Sequence, residues 1–464
     1  MCSFHAGKIL KRFLAIGLVM TAFLATPVSA EETYQVEILE TNGNGFIHPG
    51  VGLTKAILEN ARAQIQAKQE PWYSYYQAML VSNAASKTVV SSNADPNDPA
   101  KPASRSFNSQ GINSRFISDG LKAYTQALMY YFTGDEVYRR NAMNIIRIWS
   151  QMDPGQYVYF TDAHIHTGIP LNRMVTAAEI LRYTSYRDPD FAWTEADTRN
   201  FTDNLINPVI ETFLHDNNHF MNQHLYPLLG AIAGYIFTDN AERFEEAVEW
   251  ATVNRTALNQ GFNGSIQRLF RLIEKNDATG EWLDEPRVQH MEMGRDQAHA
   301  AGDLTNAAIL ARMFYAQGVK VDPEDGTLSN DPDAVGFYEF LDDRILKAAD
   351  YFWQFMLGYD TPWTPAAYSI FPDGEVKGIY YKISDLYKGR TNTALFWDMY
   401  YYYKYTRGMD VETVAPYFHE AFVKRNPSNY YYRGVLTQAW ESVDGGGDFW
   451  LYIPHEAAAE GAAY

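Results

Sequence analysis

Two short stretches carry the residue types that perform acid–base chemistry on anionic compounds. One is Glu292-Met293-Gly294-Arg295-Asp296-Gln297-Ala298-His299; the other, about seventy residues earlier, is Asn222-Gln223-His224. Helical spacing over residues 292–303 predicts Glu292, Arg295, Asp296, His299 and Asp303 on one face, at i, i+3, i+4, i+7 and i+11. A helix of a globular protein ordinarily turns an apolar face inward. Here the periodic face is charged and flanked by the small Ala298, Ala300 and Ala301, which suits a solvated surface or a polar cleft. Seven of the eleven histidines fall between residues 164 and 299, which favours the cleft.

Asn222-Gln223-His224 stands at the mouth of a strongly apolar run, Leu225 to Ile236. Helix-start amides are hydrogen-bond donors and the helix dipole there favours anions, so this is a seat for a carboxylate. Asn222 taken alone equally suits an ordinary helix cap. His164-x-His166 supplies two further polar groups for such a cleft. His215, His219 and His224, at i, i+4 and i+9, could begin a metal site. No HExxH accompanies them and Asn217-Asn218 interrupts the spacing, so neither a metal nor a cofactor is expected. Nucleophile-elbow, phosphate-loop and dinucleotide motifs are absent.

Composition narrows the classes. Residues 1–30 read as a secretory signal, with Lys8, Lys11 and Arg12 before an apolar run and Val28-Ser29-Ala30 as a cleavage site. The expectation is a secreted or periplasmic protein with no membrane span. Removing those three cations takes the net charge from −18 to −21, which argues against nucleic acid and anionic membranes as partners. The single cysteine, Cys2, leaves with the signal, so no thiol chemistry is expected. Aromatic residues make up 15% of the chain, enough to stack sugar rings or simply to fill a large core.

The elements that must position these groups read as overwhelmingly helical. Apolar periodicity predicts helices over 53–69, 114–132, 135–151, 172–183, 195–217, 224–238, 239–260, 304–317, 337–358, 391–406 and 411–424. Pro208 should kink or split the fifth of these. A short extended lead spans 34–40, and Ser82 to Asn108, with three prolines, reads as a loop. About a dozen helices with short connections fit an all-α domain of helical hairpins in a ring, an α/α toroid. The expected domain runs from 31 to 439, and residues 440–464 form a strand or a closing segment.

Asn222-Gln223-His224 before its Ala/Gly-rich helix resembles the Asn-Asn-His segment of alginate lyases and related polysaccharide lyases of the α/α-toroid fold. Asp162-Ala163-His164-Ile165-His166-Thr167-Gly168 through Arg173, Glu292-x-x-Arg295 and the hairpin-like stretch 108–149 are similar to segments of the same superfamily, so the likeness covers roughly residues 50–410. Gln223 stands where Asn is usual. The tyrosine expected seven residues after the arginine is replaced by Gly302. The Gly-Arg-Asp-Gln-x-His form suggests a glucuronan or mannuronan lyase subgroup, such as polysaccharide lyase family 38.

The resemblance implies β-elimination on an acidic polysaccharide, alginate or glucuronan among the candidates. On that reading Gln223 and Arg295 neutralise the substrate carboxylate, with Asn222 beside them. His224 is base or neutraliser, and His299 is the second titratable group. His164, His166 and Arg390 contact substrate. Tyr381, with Tyr380 next to it, supplies the hydroxyl. Glu292 orients Arg295. Arg295 and Asp296 also fit a salt bridge fixing two helices, and Tyr380 and Tyr381 fit plain packing. A glycoside hydrolase using Glu292 with Asp296 or Asp162, and a non-catalytic glycan binder, are the competing classes.

Overall fold

Gly134, at φ 69°, ends one long helix, and the Asp135 carboxylate caps the next by accepting from the Val137 N–H. The same stop-and-start chemistry recurs along the chain. The computed structural model describes residues 34–258, 260–261, 263–370, 375–390, 394–425, 440–443 and 445–460. The expected signal segment lies outside them.

The helices are α1 (Lys55–Gln66), α2 (Trp72–Leu80), α3 (Gln110–Thr133), α4 (Glu136–Trp149), α5 (Ala163–Arg182), α6 (Glu195–Phe201), α7 (Asn207–Val209), α8 (Asn222–Phe237), α9 (Ala241–Thr252), α10 (Ile266–Leu269), α11 (Gln297–Ala316), α12 (Phe340–Met356), α13 (Trp397–Tyr401), α14 (Val411–Val414) and α15 (Pro416–Lys424). Four antiparallel two-stranded ribbons accompany them: β1–β2 (Thr41–Gly43, Phe46–His48), β3–β4 (Ala94–Asp95, Asp98–Pro102), β5–β6 (Phe270–Lys275, Trp282–His290) and β7–β8 (Ala366–Ile370, Val376–Tyr380). The chain is about 53% helical with few short strands, which places it in the all-α class. Among the described residues no helix is long and apolar enough to cross a membrane.

Helices α3, α5, α8 and α11 pack side by side in that order. Asn113 bonds the His166 carbonyl and Tyr130 the Ser185 carbonyl; Asn172 bonds the Leu229 carbonyl and Arg182 the Phe237 carbonyl. Rising numbers meet rising numbers, so these helices run parallel and their N-termini gather at one end. Two glycines set the α5–α8 spacing. A Cβ on Gly168 would strike the Tyr226 carbonyl, and one on Gly230 would strike the Gly168 carbonyl. The core is continuous from Val36 to Ala457 and includes the buried Trp72, Trp149, Trp353, Trp397 and Trp450.

Several expectations need correction. The helix expected over 292–303 is broken: Met291–Gly294 is a 3-10 turn, and Asp296 is extended at φ −171° as the N-cap of α11. Helix α5 starts at Ala163 rather than 172 and carries Pro170 inside it, so His164 and His166 are helical. Pro208 sits in α7 between two π-helical segments, 202–206 and 210–214. Among the described residues of the tail, left open between a strand and a closing segment, 3-10 turns span Phe449–Tyr452 and His455–Glu460, with Trp450 stacked on Tyr75 of α2.

His48, the last residue of β2, ties that ribbon to this helical array. Its Nδ1 lies 3.0 Å from Glu179 of α5, and its Nε2 lies 2.9 Å from Asp239, just past α8. Both nitrogens face carboxylates, so both donate and the ring is an imidazolium. Burial opposes that charge; the hydrogen bonds and charges of Glu179 and Asp239 outweigh it and raise the pKa above 6.5. A raised folded-state pKa stabilises most below the unfolded value and is lost as pH climbs through the folded one. Urea unfolding midpoints should therefore decline as pH rises from 6.5, and His48→Gln should remove that part of the decline.

Candidate active site

Asp296 organises the start of α11. Its Oδ1 accepts from the N–H groups of Ala298 and His299, both at 3.0 Å, and its Oδ2 lies 2.5 Å from His299 Nδ1. The carboxylate holds Nδ1 as the donor. Nε2 on the far side of the ring is then the nitrogen able to take a proton. His299 keeps 34% of its side chain exposed, so that nitrogen is within reach of a ligand.

Arg295 sits at the break between the 3-10 turn and α11. It donates to Asn222 Oδ1 at 3.0 Å, joining the starts of α8 and α11. Glu292 lies 3.6 Å from the guanidinium and is fully buried. Neither of its oxygens has a hydrogen-bond partner within the protein. Burial first, and then the nearby Asp303, hold the Glu292 carboxyl well above the usual carboxylate range, against the pull of Arg295. Asp303 is raised as well, by burial, and meets His290 Nε2 at 3.1 Å. His290 is itself pushed down to about 3 by burial. Behind Arg295, burial thus disfavours charge on both carboxyls and on the imidazole. Asp296 lies 3.9 Å away, and three N–H donors already share its carboxylate. Arg295 retains net positive charge toward solvent.

A second limb comes from α5. Gln223 Oε1 accepts from His164 Nε2 at 3.2 Å, so His164 Nδ1 accepts from the Tyr159 hydroxyl at 2.7 Å. The His164 ring stacks on His219 at 3.9 Å with planes 6° apart. Burial lowers both pKa values, that of His219 to about 4 with His164 adding to the shift. With Oε1 engaged, Gln223 carries its remaining donors on Nε2. The N-termini of α5, α8 and α11 all lie at this end, and their dipoles add to the positive potential.

The structure gathers Arg295, His299, Asn222, Gln223 and His164 and sets other expected residues apart. His224 is fully buried, its Nε2 bonded to the Trp250 carbonyl at 2.8 Å, and burial pushes its pKa down to about 4. It therefore fixes α8 against α9 as a neutral ring, because its place in the sequence puts it on the inner side of its helix. His166 is exposed; its carbonyl accepts from Asn113 and its N–H donates to the Asp162 carbonyl. Tyr380 closes on the cluster: its ring fills the space over Gly294 and lies 4.2 Å from the ring of Tyr368. Burial raises its pKa, with Glu292 adding and Arg295 opposing. Tyr381 is 67% exposed with its neighbour turned inward, as strand alternation dictates. Arg390 is exposed beside Tyr387, in a loop whose Ser384 N–H bonds the Met293 carbonyl and whose Leu386 carbonyl accepts from Gln297. Tyr159 and His290 escaped the sequence reading; proximity to His164 was the only signal for Tyr159.

No three His, Cys, Asp or Glu side chains among the described residues are placed to hold a metal ion. A cavity of about 400 Å³ lined by Asn60, Tyr315, Tyr402 and Tyr452 lies at the C-terminal end of α11 and contains none of the cluster. The cluster itself is open, with Arg295 and His299 each about one-third exposed, which suits a chain-like ligand lying across the helix starts. No family model matches the chain, and no curated protein matches it.

Protonation of Glu292, which its burial favours, has a direct check. Glu292→Gln replaces one neutral group by another of the same shape and should shift unfolding free energy by less than about 1 kcal/mol. Glu292→Ala leaves a buried cavity and should cost about 2 kcal/mol or more in the same denaturant titration.

Proposed function

We propose that this protein is a secreted polysaccharide lyase that cleaves a uronic-acid-containing polysaccharide, alginate, polymannuronate or glucuronan, by β-elimination. The observation that carries the reading is the pairing of Arg295, backed by buried carboxyls with raised pKa values and bonded to Asn222, with the Asp296–His299 dyad one turn away. The parallel run of α3, α5, α8 and α11 supports the α/α toroid.

The C5 proton of a uronate is barely acidic while its carboxylate stays fully anionic. Arg295, with the amide donors of Asn222 and Gln223, neutralises that carboxylate and stabilises the enolate-like intermediate. His299 Nε2 removes the proton, and Asp296 holds the ring and stabilises the imidazolium. His299 takes this role in place of His224, which is sealed from substrate. The hydrolase alternative is weaker: Glu292 lies buried behind Arg295, and Asp296 is committed to the α11 cap and His299.

Purified protein incubated with alginate, polymannuronate, polyguluronate, glucuronan and glycosaminoglycans should raise ultraviolet absorbance on one uronate, from the new unsaturated end. New reducing ends without absorbance would move the reading to a hydrolase. Arg295→Ala and His299→Ala should each lower kcat/KM on that polymer by about 10²-fold or more.

A further inference from the structure

Residues 381–390 follow β8 and are bonded to the chain on both sides of Arg295. The Ser384 N–H donates to the Met293 carbonyl at 2.9 Å, and the Gln297 N–H donates to the Leu386 carbonyl at 3.1 Å. The Gln297 side-chain amide adds a bond to the Ser384 carbonyl at 2.7 Å. The segment holds Lys382, Lys388 and Arg390 against one acid, Asp385, in a chain whose net charge is −18. Lys388 rests on Phe355, its Nζ 4.0 Å from the ring centre. Lys382 and Arg390 are exposed, and neither forms an ion pair among the described residues. Between them Tyr387 has φ 65°, a left-handed conformation that a bulky aromatic residue adopts against its preference. Two turns hold it there: the Lys388 N–H donates to the Asp385 carbonyl and the Arg390 N–H to the Tyr387 carbonyl. The Arg390 guanidinium is thereby set 5.4 Å from the centre of the Tyr387 ring. Backbone strain of this kind gathers where a loop must present a side chain to a ligand.

We infer that Lys382 and Arg390 bind the carboxylates of uronate units flanking the one held at Arg295, so that the protein takes a run of uronates in preference to a single one. The inference rests on the lyase reading and names the form of substrate its site accepts. Arg390 is already placed over Tyr387, so little side-chain freedom is lost when a carboxylate pairs with it, and its fork can hold both oxygens. Tyr387 is a positioning residue for Arg390. Lys382, two residues before Ser384, offers a mobile point charge on the other side of the anchor. The anchoring bonds keep both cations near the cluster, and the turn from Tyr387 to Arg390 spans less than about 7 Å between its end Cα atoms. An acidic protein repels a polyanion in general, so unpaired cations beside Arg295 decide where such a chain settles.

Calorimetry in a His299→Ala background reads binding without turnover, using mannuronate, guluronate and glucuronate oligomers from disaccharide to hexasaccharide. On the preferred uronate, affinity should rise with length by about tenfold or more. Lys382→Gln combined with Arg390→Gln should remove most of that rise; both side chains are exposed, so the fold is retained. Lys68→Gln combined with Arg140→Gln makes the same charge change at exposed positions elsewhere and should keep the rise. A rise that survives the Lys382 and Arg390 changes, an equal loss in the Lys68 and Arg140 control, or no binding at any length would overturn the inference. The lyase reading fails separately: a wild type that yields no ultraviolet absorbance on any uronate polymer, while binding follows the expected pattern, sinks elimination and leaves uronate binding by Lys382 and Arg390 standing.

Discussion

The arrangement depends on how the charge of Arg295 is left uncancelled. Glu292 and Asp303 are buried close to the guanidinium, and if both were ionised they would neutralise it and repel any anion. Burial makes that ionisation costly; Asp303 further raises Glu292 and Asp296 further raises Asp303, so the neutral forms are favoured. The remaining carboxylate, Asp296, is drawn into capping α11 and orienting His299. A protein with net charge −18 thereby keeps one positive point at the meeting place of three helix starts.

That meeting place is a consequence of packing. Parallel neighbours put N-termini together only if their backbones come close enough to stay in register. Gly168 and Gly230 permit this between α5 and α8, where a Cβ would meet a backbone carbonyl. The cross-bonds Asn172 to Leu229, His164 to Gln223 and Asn222 to Arg295 then fix the register from one helix to the next. The functional groups stand on the first turns of three long helices, whose C-terminal parts lie in the core.

Apolar periodicity was enough to read most of the long helices, because Leu, Ile and Ala at helical spacing have few other uses. It misjudged α5, where Thr167 and Gly168 hide a buried face, and it ran a single helix through Arg295. Asp296 could equally be a helical residue or a cap; only its contact with the Ala298 and His299 amides decides between them. Residue type marked Arg295, His299, Asn222 and Gln223 because charge and amide groups at a helix mouth are chemically conspicuous. Burial was not legible in type. His224 and His299 look alike in sequence, yet one is sealed against Trp250 and the other is open. The ribbons β5–β6 and β7–β8 were missed because their short strands carry charged and glycine residues among the apolar ones.

The central claim is elimination without water at a site built around Arg295 and His299. Digestion of the preferred polymer in oxygen-18 water, read by mass spectrometry of the fragments formed at early times, tests it most directly. The account predicts unsaturated fragments lighter than hydrolytic ones by one water and free of the heavy isotope at the cleaved bond. Saturated fragments carrying one oxygen-18 at each new reducing end would contradict it.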